Sequence, residues 1–164
     1  AIVGTVSGTS ISFGSPPVFY DGTGSVSYVK MTYDSVSQKV VIAFLDETQP
    51  LFSRAIVGTV SGTSISFGSN VVFDSNYSFI YGLAYDSNAE RVVIGYRRMA
   101  GTNSTYAHTI VGTVSGTSIS FGTTVVVNSA SSADVVPVYD PNTQKVVVTY
   151  SDYTNSRGEA KASP

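Results

Sequence analysis

The chain has 164 residues and 17.2 kDa, with 9 basic against 11 acidic side chains, one histidine and no cysteine. That length allows one domain with a sizeable core, while zero cysteine excludes disulfide scaffolds, zinc–cysteine sites and thiol catalysis. A net charge of −2 offers no basic footprint for nucleic acid or anionic lipid, and no apolar run approaches the ~20 residues of a membrane helix.

Every segment reads as β. At the start, Thr5-Val6 and Thr9-Ser10-Ile11 flank Ser7-Gly8, a short turn between two β-rich runs, which predicts a hairpin. Within it Ile11 and Phe13 alternate with serines, the period-2 signal of a half-buried strand. Next, runs 28–33 and 40–45 flank the polar turn Asp34-Ser-Val-Ser-Gln38 and predict two more strands. Runs 55–60 and 64–67 then repeat the opening hairpin.

The repetition is literal. Ile2-Val-Gly-Thr-Val-Ser-Gly-Thr-Ser-Ile-Ser-Phe-Gly14 returns letter for letter at 56–68 and 110–122, a 54-residue period. A second block recurs as Tyr33-Asp34 with Lys39-Val-Val-Ile42, Tyr85-Asp86 with Arg91-Val-Val-Ile94, and Tyr139-Asp140 with Lys145-Val-Val-Val148. The chain is therefore expected to be one repeat domain, 1–164, made of repeats 1–54, 55–108 and 109–162. Each repeat is expected to supply four antiparallel strands, with 153–162 read as a loop.

Four strands per unit, at a period near the ~50 residues of kelch-type blades, read as a β-propeller. The pattern Tyr-Asp-x4-[Lys/Arg]-Val-Val-[Ile/Val], followed by the hairpin block, resembles repeats in phage and bacterial propeller-like proteins, and the resemblance covers the whole chain. It implies a fold and no chemistry. A β-trefoil or β-prism monomer is the alternative, since both use three repeats of this size.

Propellers typically need 4–8 blades, so three blades predict closure by homo-oligomerisation. A homodimer of six blades, about 34 kDa, is favoured over a homotrimer of nine. In that reading residues 1–14 of a neighbouring chain supply the third and fourth strands of the last blade, beside 146–150.

Divergence between the copies concentrates in segments 15–27, 69–78 and 123–133 and in loops 46–54, 98–108 and 152–162, which an up-and-down blade places on one rim. Tyr20, Tyr77, Tyr106 and Tyr153 offer stacking faces there. Asp21, Arg97, Arg98, His108, Asp152 and Arg157 offer charge and hydrogen bonds. These are the expected ligand-binding residues, together with Asp134, the lone acid among the inner-strand positions Tyr28, Ile80 and Asp134. His108 has no partner histidine and is read as a solvated loop residue, with no metal site and no cofactor expected. Asp34, Asp86 and Asp140 suit Asx capping of a turn rather than catalysis, and Tyr33, Tyr85 and Tyr139 are expected to pack between blades.

The expected function is a non-enzymatic recognition module, with a carbohydrate or cell-surface ligand and an extracellular or virion-surface setting. The alternatives are a purely structural or engineered symmetric scaffold, and a propeller glycosidase built on Asp134. Partners other than itself and such a ligand are not expected: no nucleic acid and no membrane insertion.

Overall fold

The computed structural model describes residues 1–163, and all of its regular structure is β-strand, in antiparallel sheets that close no barrel. A free hairpin opens the chain, β1 (Gly4–Ser7) and β2 (Ser10–Phe13), turning at Gly8. The first sheet follows as β3 (Val26–Asp34), β4 (Lys39–Asp46) and β5 (Phe52–Ser61). Two short strands, β6 (Ser64–Phe67) and β7 (Val71–Asp74), share the outer edge of β5. The second sheet repeats this plan with β8 (Ser78–Asp86), β9 (Arg91–Arg98), β10 (Ala107–Ser115), β11 (Ser118–Phe121) and β12 (Val125–Asn128). The third has only β13 (Ser132–Asp140), β14 (Lys145–Asp152) and β15 (Arg157–Ala162).

These pairings revise the four-strand expectation in two places. Each full sheet carries a fifth strand, β7 or β12, inside a connection read as loop. Segment 153–162, also read as loop, turns back after Asp152 and places β15 along β14, so within one chain the edge of 146–150 is already filled.

The central strands of the first and second sheets are apolar on both faces, which fits sheets covered on both sides, whereas β14 has Thr149 and Ser151 on its outer face. In β4, Val41 and Ala43 face the second sheet, while Ile42 and Phe44 face the amino-terminal segment; all four are fully buried. Between the first and second sheets Val41, Ala43, Ala55 and Val57 meet Ile80, Val92, Ile94 and Ile110. Between the second and third, Val93, Ala107, Val135, Val146, Val148 and Tyr150 do the same.

An aromatic knob covers the first and second sheets, and Val127 stands at the corresponding place against the third. Phe73 of β7 sets its ring edge-on to Tyr96 at 5.6 Å and lies 5.5 Å from Phe121. Phe19, in the segment before β3, repeats this against Phe44 at 5.3 Å and Phe67 at 6.1 Å. The amino-terminal segment thus covers the first sheet as the first sheet covers the second. Burying one such ring contributes roughly 1.5–3 kcal/mol.

The turn aspartates act as read. Asp34 accepts the amides of Val36 and Ser37 at 3.1 and 2.9 Å, and Asp86 those of Asn88 and Ala89 at 2.9 Å. Asp140 takes the Asn142 amide at 2.9 Å and the Thr143 hydroxyl at 2.7 Å. Tyr85 and Tyr139 pack at the junctions, whereas Tyr33 is 55% exposed.

Gly62 sits at φ +58° in the β5–β6 turn with open space around its Cα. Gly62→Val therefore meets no clash, only left-handed backbone that a β-branched residue resists. The expected cost is about 1–2 kcal/mol, read as a drop of roughly 2–8 °C in melting temperature. Unchanged melting would contradict the turn geometry.

Candidate functional site

In the first and second sheets the antiparallel registers put the Asp-capped turn and the hairpin turn at one end and the divergent loops at the other, and the Asp140-capped turn of the third sheet lies at the former end. At the divergent rim the first strand of each sheet carries a β-bulge: between Ser27 and Lys30 in β3, Ile80 and Gly82 in β8, Ala133 and Val136 in β13. Bulges re-aim side chains. Two of them hold a non-glycine residue in the left-handed region, Tyr28 at φ 50° and Asp134 at φ 52°. Each such residue costs of order 1–3 kcal/mol, which surrounding structure must hold in place.

Two neighbouring clusters result. In the first, the Tyr28 ring stacks on Phe79 at 4.5 Å, and Tyr77 stands edge-on to Phe79 at 5.2 Å. Burial and the neighbouring Tyr28 push the Tyr77 phenol above its ordinary pKa. Tyr28 remains 38% exposed, so the aromatic platform is open to solvent.

In the second, the Arg97 guanidinium lies 6.0 Å from the centre of the Tyr153 ring, beside the Tyr81 phenol. Asp134 accepts a hydrogen bond from Ser151 Oγ at 2.9 Å close by. The ion pairs among the described residues join Arg54 to Asp46, Arg98 to Asp74 and Arg157 to Glu159; Arg97 enters none of them. Its buried Nε faces no acceptor. Tyr153 is 56% exposed and forms the open face of the cluster.

Most of the remaining expected residues are engaged in contacts within the chain. Tyr20 Oη donates to Asp46 Oδ2 at 2.5 Å, and Arg54 Nε donates to the same oxygen at 2.8 Å. Burial alone would raise the Asp46 pKa, but the Tyr20 hydroxyl, the Thr48 amide and hydroxyl and Arg54 together hold it at about 2. Arg98 pairs with Asp74 of the preceding sheet at 2.6 Å. Asp152 is buried, receives the amides of Thr154 and Asn155 and the Asn155 side chain, and caps the turn into β15. Arg157 is spent on Glu159 along β15, and Asp21 lies on the wall of a shallow cleft with Tyr20 and Asn70. Tyr106 stacks on His108 at 6.5 Å.

His108 departs most from expectation. It is fully buried in β10, not solvated, because its ring stacks on Tyr96 at 5.5 Å and its Nδ1 meets the Tyr106 carbonyl at 2.9 Å. That contact puts the neutral ring's proton on Nδ1, and Nε2 has no partner. Sequence reading also passed over Phe79 and Tyr81 and gave Tyr28 no binding role. Their signal was the aromatic run Tyr77, Phe79 and Tyr81 at period 2 in the inner strand.

No metal-ligating cluster of three or more His, Asp or Glu side chains occurs among the described residues. The site can stack planar or ring surfaces and donate hydrogen bonds from a cation.

Burial, with Arg98 nearby, lowers the His108 pKa despite the Tyr106 carbonyl and Asp74, which favour the charged ring. The unfolded chain then takes up a proton near the usual ~6.5 before the folded one does. Stability from this group is complete above that value and falls on acidification, by at most about 1.4 kcal/mol per pH unit. Melting temperature should drop between pH 7.5 and 5, and His108→Phe should flatten that slope. A slope that persists in the variant removes His108 as its source. The Asp46 contribution belongs to a lower window, intact above the ordinary carboxylate range and lost as pH falls toward about 2.

Compared with family models, curated proteins and solved structures, the chain has no match.

Proposed function

We propose that the three stacked sheets are β-propeller blades and that the chain is a non-enzymatic recognition module. Its divergent rim takes hydroxyl-rich surface polymers, glycans above all. Successive sheets stack face to face with β3, β8 and β13 innermost and neighbouring, an arrangement that supports blades over a trefoil. The observation carrying the binding reading is the pair of rim clusters, Tyr28–Phe79 and Arg97–Tyr153. Aromatic faces exposed beside an arginine with no carboxylate partner are the chemistry of stacking on a sugar ring while donating to its hydroxyls. Tyrosine and arginine are also the residues most enriched at binding hot spots. A shallow platform of this kind gives weak single contacts, and repetition on an assembly multiplies them.

The glycosidase reading is weaker. Asp134 is hydrogen-bonded to Ser151, and no second carboxylate shares that contact.

A glycan array probed with the native protein should show binders. Tyr28→Ala and Arg97→Ala should each weaken them roughly 10–30-fold without changing the circular dichroism spectrum. An array with no binder, or variants that bind as well as the native chain, would remove the recognition reading.

A further inference from the structure

We propose that a second copy of this chain seats its β1–β2 hairpin in the groove between the second and third sheets. There Ile11 and Phe13 take the places that Ile119 and Phe121 fill at the first junction. The proposal is independent of the glycan reading and rests on three identical hairpins in unequal surroundings.

Ile65 and Ile119 are 8% and 3% exposed, and Phe67 and Phe121 are half-buried, because the preceding segment or sheet covers them. In the same sequence, Ile11 is 53% and Phe13 59% exposed. The first hairpin presents a face that both other copies bury.

The complementary seat is empty. Where the first junction holds Ile119 and Phe121 against Ala55, Val57, Val71 and Phe73, the second has only the equivalent wall. That wall is a groove of about 350 Å³ lined by Thr109, Val111, Val125, Val127, Val146 and Val148. Among the described residues the third sheet has no hairpin beside β14.

Glycines at the hairpin ends mark the same vacant place. A Cβ on Gly14 would run into the Thr63 carbonyl, and one on Gly68 into that of Thr117, so each hairpin lies backbone to backbone on the next. At Gly122, outside the left-handed region, the nearest such atom is the Val111 carbonyl at 3.8 Å. The incoming hairpin would bring its Thr9 there.

By register, Gly4 of the incoming hairpin corresponds to Ser163, so the end of β15 gives way to it. That strand, Arg-Gly-Glu-Ala-Lys-Ala, has no branched apolar residue and is exposed over nearly its whole length. The contact is head-to-tail, and two copies that close it reciprocally make six blades.

Sedimentation of the native chain should give about twice 17.2 kDa or a higher multiple. Gly122→Ala and Ile11→Asp alter positions open in the single chain. Each should weaken association roughly 30-fold or more while leaving circular dichroism unchanged. A native chain that sediments at single mass at every concentration overturns the proposal. So does association that survives both substitutions.

Discussion

A β-sheet whose central strand is apolar on both faces must be covered twice, and each sheet here depends on its neighbours for that cover. Ile42 and Phe44 on one side of β4, Val41 and Ala43 on the other, leave no face to water. The aromatic knob supplies the cover in a repeatable form. Phe73 wedges between a ring on the next central strand and the phenylalanine that ends the next hairpin, and Phe19 does the same one unit earlier. Because each knob needs both partners, a unit without its hairpin is incompletely covered. The exposure of Ile11 and the valine groove beside β14 are two ends of that one requirement.

Alternation and repeated turn chemistry made the main strands legible. Ser64–Phe67 was placed to the residue, and Asp34, Asp86 and Asp140 cap turns as their position implied. Strands β7, β12 and β15 escaped because nothing local demands them. The short runs Val71–Asp74 and Val125–Asn128 lie in segments that differ between copies, and they become strands only by meeting the free edge of β5 or β10. Arg157–Ala162 carries no apolar period, so pairing with β14 alone makes it a strand. His108 was misread for a related reason. The same register position holds Arg54 in the first sheet, which reaches Asp46 at the rim, and only the Tyr96 and Tyr106 rings make it an interior site in the second.

The rim shows why variation among copies is an ambiguous signal. Asp46, Arg98 and Asp152 end the three central strands, and their partners change with them. Asp46 is met by Tyr20 and Arg54, Arg98 by Asp74, and Asp152 by Asn155 with Asn128 beside it. Reversal of charge at Arg98 is matched by an acid on the preceding sheet, so complementarity persists while identity does not. Much of the divergence at these positions is therefore mutual adjustment of partners, within a sheet at Asp46, within a turn at Asp152 and between sheets at Arg98.

Residues that vary without any such matching are then the informative remainder. Tyr28 and Asp134 occupy one bulge position and share a left-handed backbone, yet one presents a ring and the other a carboxylate. Arg97 has neither the pairing of Arg98 next to it nor the burial of Leu45, its counterpart in the first sheet. What they have in common is a place at one rim with access to solvent, and it is on this that the proposed recognition surface rests.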